Sequence, residues 1–172
     1  QNAGPFPNND FVRGQPNDNY YLLLREKIHV GYTPASWVTV YAEGRDSSTS
    51  GDARNPNPEA DVFDLQQAYI ALGDLKQFPM KVTVGRQELN YGDERFFGIS
   101  DWNNIGRVFD AAKLQLAAGE FSVDAFAGRV VVPRNHHFNV VNNYNWFWGV
   151  YASSPTLVRW QTTDFYFIGH NV

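Results

Sequence analysis

Ionisable side chains are concentrated in one glycine-rich segment of the chain, between Gly85 and Asp110. The segment mixes carboxylates with guanidinium groups, and such a mixture could serve two kinds of chemistry. Two carboxylates could act as general acid and general base in the cleavage of a sugar polymer. Charges of both signs could instead form ion pairs in a confined passage and select solutes by charge. The candidates for this second role are Arg86, Glu88, Asp93, Arg95, Asp101 and Arg107.

The spacing of these residues gives little support to catalysis or to metal binding. The carboxylates available for acid–base chemistry are Asp93, Glu94, Asp101 and Asp110. No further feature of the sequence selects two of them as a pair. Adjacent residues on a strand point in opposite directions, so His136 and His137 are poorly placed to share a metal ion. The glycines lack the Lys-Ser or Lys-Thr that completes a phosphate-binding loop. We therefore expect no enzyme, no catalytic residues and no cofactor.

Apolar and polar side chains alternate along most of the chain, and a period of two is that of a β-strand. Val38, Val40 and Ala42, for example, alternate with Tyr41 and polar neighbours. A helix is the alternative for 62–72, since Leu, Gln and Ala favour helices. The pattern predicts an N-terminal loop at 1–18 and a strand region at 19–172, with strands near 20–32, 37–45, 62–72, 80–91, 107–117, 121–131, 144–152 and 157–170.

Composition narrows the class of protein that these strands can build. A net charge of −4 gives no indication of nucleic-acid binding. The absence of cysteine excludes disulfides and thiolate metal sites. The longest stretch free of Asp, Glu, Lys and Arg, 135–158, contains a proline and five asparagines, so it is not a transmembrane helix. A membrane protein of this composition would have to be a β-barrel, whose closed sheet pairs every backbone group in lipid.

The predicted connections alternate in length. Short turns are expected at 33–36, 73–79, 118–120 and 153–155, and long loops at 46–61, 92–106 and 132–143. Outer-membrane barrels follow this rule because their periplasmic turns are short and their outer loops are long. The first strand then runs inward and the eighth runs outward. Both ends of the predicted strand region would then lie on the outer side of the membrane, whereas a complete barrel normally begins and ends in the periplasm. We therefore expect about eight strands of a larger antiparallel transmembrane β-barrel of roughly 16–18 strands.

The polar face of the predicted strands also carries candidate site residues, namely Arg25, Lys27, Tyr41, Glu43, Arg45 and Lys113. These charges could simply pair with neighbouring acids, or they could form a basic lining that draws anionic solutes through a pore. The aromatic residues near strand ends, such as Trp37 and Tyr144, suit an interfacial girdle, with sugar stacking as the alternative. Within the charged segment, Gly92 and Gly98 would supply bends and Trp102 an apolar anchor.

The stretch GRQELNYGDERFFGISDWNNIGRVFDAAKL resembles the central signature of the alginate export family of outer-membrane β-barrel porins. The resemblance rests on Gly-Arg-Gln, on Tyr-Gly-Asp with a following Arg, on Asp-Trp, and on Gly-Arg-x-Phe-Asp before a strand. It implies a transmembrane β-barrel whose pore binds an anionic uronate polymer. Members of the family are much longer than this chain, so the resemblance also implies a segment of a longer protein.

The pattern and the resemblance together predict a porin-like channel in the bacterial outer membrane for passive passage of an anionic polysaccharide or small anionic solutes. The alternative is a non-conducting structural or binding barrel within a larger surface assembly. Expected partners are outer-membrane lipid, the solute and other envelope proteins, without nucleic acid. The charged segment would fold inward and narrow the pore. Its arginines, Arg86, Arg95 and Arg107, would pair with the acids Glu88, Asp93 and Asp101.

Overall fold

A computed structural model describes residues 21–52 and 57–171, and the predicted loop at 1–18 lies outside these ranges. The all-β, antiparallel architecture predicted from the sequence is confirmed, and the segment 62–72 is a strand rather than a helix. Within the described residues, no helix is long and apolar enough to cross a membrane. The strands are β1 (Leu22–Ala35), β2 (Val38–Ser50), β3 (Asp61–Leu72), β4 (Met80–Gln87), β5 (Phe109–Ala118), β6 (Phe121–Val132), β7 (Val140–Val141), β8 (Trp146–Val158) and β9 (Gln161–Asn171).

The strands form one antiparallel sheet in which long strands pair with their neighbours along the chain, in the order β1-β2-β3-β4-β5-β6-β8-β9. The short β7 pairs with the end of β6. Among the described residues, β1 and β9 form the two edges of the sheet. Short connections lie at one end of the sheet and long ones at the other, in the alternation that the sequence predicts. The long connections are 51–60, 88–108 and 133–145.

Two of the predicted turns are misplaced because proline interrupts strand pairing without ending the strand. β1 continues through Pro34 and β8 continues through Pro155, where the sequence predicts turns at 33–36 and 153–155. Proline has no amide hydrogen for the ladder and is tolerated in strands where pairing is irregular. The register of each strand with its neighbour shifts close to its proline.

β2 is longer than predicted and β4 is shorter. β2 extends to Ser50, whereas the sequence pattern ends this strand at Arg45. β4 ends at Gln87 rather than at residue 91, because the chain turns onto the sheet and buries the Leu89 side chain completely. Residues 88–108 therefore form the longest connection, and we refer to them as the cross-sheet loop.

The two faces of the sheet differ in chemical character. One face, which we call the apolar face, exposes large apolar side chains that include Ile28, Val30, Val40, Ile70, Val84, Leu116, Val150 and Phe167. The cross-sheet loop packs on the opposite face, which we call the loop-covered face. Tyr41, Glu43, Lys113 and Gln115 lie on the loop-covered face, out of phase with Val40 and the other apolar residues.

Candidate functional site

An aromatic cluster fixes the cross-sheet loop over β5, β6 and β8. The ring centroid of Phe97 lies 5.9 Å from that of Phe109, 5.2 Å from Phe126 and 4.6 Å from Phe147. All four rings are buried, and burial of apolar surface is the main driving force for such packing. Trp102, the anchor predicted from the sequence, is 73% exposed. Phe97 is therefore the aromatic anchor of the loop.

A single asparagine fixes the other part of the cross-sheet loop, over β1 and β2. The amide nitrogen of the Asn104 side chain donates to the carbonyl oxygens of Leu24 at 3.1 Å, Ser48 at 3.3 Å and Glu59 at 2.9 Å. Its backbone amide donates to the Glu59 carboxylate at 2.8 Å, and its backbone carbonyl accepts from the Ser47 hydroxyl at 2.7 Å. Asn104 is buried, and these five hydrogen bonds define the position of the loop.

Several of the predicted site residues meet between β1, β2 and the loop. Arg25 Nη1 lies 2.7 Å from Asp101 Oδ1, which joins the first strand to the loop. Lys27 Nζ lies 3.3 Å from Glu43 Oε1, and the Tyr41 hydroxyl donates to Glu43 Oε2 at 2.8 Å. Each of these two basic groups thus has an acidic partner, which offsets its positive charge.

Arg45 and Arg86 lie on different faces of the sheet. Asn139, in the 133–145 connection, links their two ion pairs. Arg45 Nη2 pairs with Asp61 Oδ2 at 2.7 Å, and both side chains are almost fully buried. The Asn139 side chain donates to the same Asp61 oxygen, and its backbone carbonyl accepts from Arg86 Nη2. Arg86 Nε in turn pairs with Asp110 Oδ1 at 2.8 Å. The expected pairing of Arg86 with the acids of the loop is therefore wrong.

The remaining arginines of the charged segment are exposed. Arg95 Nη2 lies 3.9 Å from Asp93 Oδ2, with both side chains largely in solvent, and such pairs contribute little to stability. Arg107 is exposed and forms no ion pair with any described residue. Asp101 pairs with Arg25 rather than with either of these arginines. A pore-lining role for the predicted residues stays a prediction.

A polar cavity of about 220 Å³ lies on the loop-covered face beside the start of the cross-sheet loop. Two ammonium groups line it, those of Lys81 and Lys113, and neither forms an ion pair with a described residue. The other lining residues are Gln67, Tyr69, Thr83, Gln87, Glu88 and Gln115. Lys81 is missing from the candidates predicted from the sequence. Its alternation with Thr83, out of phase with the apolar residues of β4, is the signal that could have identified it.

Stacked rings lead across the sheet toward this cavity. The ring centroids of His29 and Tyr41 lie 5.9 Å apart, and those of Tyr41 and Tyr69 lie 5.1 Å apart. Tyr69 also lines the polar cavity. Aromatic faces and positive charge therefore adjoin each other on the loop-covered face. This combination suits a solute that carries both a ring and an anionic group.

Burial changes the ionisation of two groups in the cross-sheet loop. It raises the pKa of the Glu88 carboxyl against the opposing charge of Lys27. Burial also raises the pKa of Tyr91, and so does Asp124, which accepts a hydrogen bond from the Tyr91 hydroxyl at 3.0 Å. In both cases desolvation favours the neutral form.

The four carboxylates considered for acid–base chemistry each have a different partner in the structure. Asp101 and Asp110 each bind an arginine. Glu94 accepts a hydrogen bond from the backbone amide of Ser100 at 3.1 Å. Over the described ranges, no group of three or more His, Cys, Asp and Glu side chains could hold a metal ion. The arrangement on the loop-covered face is one of ion pairs, aromatic rings and a cavity.

Comparison with known proteins identifies one family for this chain. A search of curated proteins found no match. The model of a protein family described as "Alginate export" matches residues 4–171, nearly the whole chain. This is a family of outer-membrane polysaccharide export channels rather than of enzymes, and it is the family that the glycine-rich segment resembles. The chain belongs to the alginate export family.

Proposed function

We propose that this chain forms a wall of a passive outer-membrane channel for an anionic polysaccharide or small anionic solutes. One observation carries the proposal: the cross-sheet loop lies over the charged face of the sheet, while the opposite face exposes apolar side chains. A barrel wall in a membrane presents apolar residues to lipid and polar residues to its interior. The loop-covered face would therefore line the passage, and the loop would narrow it.

The preference for anions would come from two lysines rather than from the arginines of the loop. Lys27, Arg25 and Arg45 have acidic partners, whereas Lys81 and Lys113 line the polar cavity without an ion pair among the described residues. Unpaired charge in a confined space attracts counter-ions and repels ions of its own sign. We infer that a carboxylate group of the solute passes beside these two ammonium groups.

Reversal potentials in planar bilayers test this assignment. We expect purified wild-type protein to conduct with a preference for anions, and Lys81→Ser/Lys113→Ser to lose that preference while its conductance persists. Lys76→Ser is the matched control, because Lys76 is exposed in the short 73–79 connection and does not line the cavity. Unchanged selectivity in a double variant that still resists heat in detergent would remove the lysines from the proposal. A wild-type protein without conductance would favour a structural or binding barrel.

The apolar face would contact lipid in the proposed channel, and a pair of arginine substitutions tests this. Val40→Arg should lower the free energy of unfolding by ~2–4 kcal/mol if the residue lies near the middle of the bilayer. Thr39→Arg should have a mild effect, because its side chain points to the loop-covered face. The measurement is urea unfolding of the protein refolded into lipid vesicles. Equal losses of stability at the two sites would contradict the assignment of faces.

A further inference from the structure

A second and larger cavity lies over β8 and β9. It measures about 640 Å³ and is bounded on one side by residues 90–97 of the cross-sheet loop. On the other side it is bounded by side chains of the loop-covered face of β6, β8 and β9. It shares no lining residue with the polar cavity of Lys81 and Lys113. The anion-selective role proposed above makes no use of it.

Aromatic rings form the floor and one wall of this cavity. Tyr151 and Tyr166 face each other across β8 and β9, with rings inclined by only 7° and centroids 6.3 Å apart. The Phe96 ring lies 5.0 Å from Tyr166, and the Tyr91 ring lies 4.9 Å from Tyr151. Phe96 and Tyr166 are more than half exposed. A ring-shaped ligand would therefore find uncovered aromatic faces, onto which its C–H surface could pack.

Two of the polar side chains around these rings are carboxylates, which only accept hydrogen bonds when they are ionised. The side chains of Tyr151 and Ser153 are hydrogen-bonded to the carboxylate of Asp164. Asp93 also lines the cavity, and Arg95 is its one cationic lining residue. Two carboxylates against one guanidinium disfavour an anionic ligand, whereas they accept hydrogen bonds from hydroxyl groups. Aromatic faces together with acceptors match an uncharged sugar.

The loop backbone at the cavity is held in an uncommon conformation. Gly92, Asp93 and Glu94 have φ values of +43°, +51° and +57°, a region that residues other than glycine rarely enter. A Cβ atom on Gly92 would lie 2.5 Å from the Tyr151 hydroxyl, so only glycine permits this approach. Strained backbone persists where the surrounding structure requires it, and it is common at ligand sites. Here the uncommon conformation accompanies the packing of Phe96 on Tyr166, and Asp93 also lines the cavity.

We propose that this cavity is a binding site for uncharged pyranose rings. The ring would stack on Tyr166 and Phe96, and its hydroxyl groups would donate to Asp164 and Asp93. The inference rests on the proposed function in one respect, since a saccharide must reach the loop-covered face. It goes beyond that function because the site recognises ring faces and hydroxyl groups rather than anionic groups. The loop-covered face then has two separate binding regions, one for anionic groups and one for uncharged sugar rings.

Calorimetric titration of the purified protein in detergent with β-1,4-linked mannotetraose tests the inference. We expect saturable binding by the wild type, about tenfold weaker binding by Tyr166→Ala and by Phe96→Ala, and nearly unchanged binding by Tyr166→Phe. A tenfold change corresponds to ~1.4 kcal/mol, within reach of one lost stacking partner. Tyr144→Ala is the matched control, because Tyr144 is exposed in the 133–145 connection and does not line the cavity.

Three results would overturn the inference. They are an absence of mannotetraose binding, equal binding by the wild type and both alanine variants, and tighter binding of a glucosamine tetramer. The last result would show that the carboxylates select a cation instead. Phe96 lies in a loop and is largely exposed, so its variant remains informative if Tyr166→Ala does not fold. Anion selectivity is measured separately, through Lys81 and Lys113, so failure here would leave the proposed channel standing.

Discussion

The cross-sheet loop is held by opposite kinds of chemistry over two regions of the sheet. Over β1 and β2, Asn104 makes directional hydrogen bonds to backbone carbonyls, and Arg25 pairs with Asp101. Over β5, β6 and β8, Phe97 enters a cluster of buried aromatic rings. We call these the polar region and the aromatic region. The contrast suggests different roles: the polar region sets the position of the loop, and the aromatic region stabilises its packing on the sheet.

The two kinds of contact differ in free energy. Burying one phenylalanine side chain contributes ~1.5–3 kcal/mol. A hydrogen bond contributes only ~0.5–1.5 kcal/mol net, because it replaces a hydrogen bond to water. Hydrogen bonds are, however, strict in distance and angle. The aromatic region should therefore hold the loop on the sheet, and the polar region should define where it lies. We expect the polar region to open first, with the loop turning about Phe97.

The largest expected effect is that of Phe97→Ala. The substitution removes a buried ring that contacts three others, and large-to-small changes of this kind cost ~3–5 kcal/mol. We expect the free energy of unfolding, measured with urea on the protein in vesicles, to fall by this amount. We also expect a higher single-channel conductance, because the loop would leave the passage. Phe96→Ala is the control, since its ring is largely exposed. Equal effects of the two substitutions would contradict the assignment of Phe97, rather than Phe96, as the anchor of the loop.

The sequence predicts the sheet architecture of this chain better than it predicts where each strand ends. Alternation with a period of two places Val40 and Tyr41 on opposite faces, and the alternating connections follow from where the polar runs lie. The turn at Arg159–Trp160 carries no such signal, because Trp160 adopts a φ of +73° without glycine or asparagine. Pro155 predicts a turn from local rules, and only the pairing with β9 shows that it lies in a strand.

The candidate site is less predictable because its contacts join distant residues. Asn104 binds Leu24 and Ser48, which precede it by 80 and 56 positions, and nothing around it in the sequence indicates these partners. Phe97 and Phe96 are adjacent and chemically identical, yet one is buried and the other exposed. Only the path of the loop distinguishes them. Lys81 is the opposite case, because the alternation of side chains along β4 is enough to assign it to the loop-covered face.

A smaller effect is expected at Asn104, and it tests the polar region directly. Asn104→Ala leaves the carbonyl groups of Leu24, Ser48 and Glu59 each without one donor, at a cost of ~1–3 kcal/mol. We expect faster hydrogen–deuterium exchange in peptides covering 99–108, with little change around Phe97. Asn90→Ala is the control, because Asn90 is an exposed residue of the same loop. Equal acceleration along the whole loop would contradict two separately held regions.

The smallest expected effect is a pH dependence of the loop that arises from Glu88. Because burial raises the pKa of this carboxyl in the folded protein, the folded state retains a proton that the unfolded state has released. The associated stability is present below the unfolded pKa of Glu and is lost as the pH rises through the folded pKa. The loop should therefore open more readily at neutral than at acidic pH, and Glu88→Gln should remove this difference.

The measurement is hydrogen–deuterium exchange of the loop. The exchange rate of the variant is compared with that of the wild type at each pH, so that the intrinsic pH dependence of exchange cancels. Glu120→Gln, in an exposed short turn, should behave as the wild type. If the exchange rates of the wild type and of Glu88→Gln differed by the same amount at every pH, the Glu88 carboxyl would contribute no pH dependence to opening of the loop. The polar region would then be held by Asn104 and Arg25 alone.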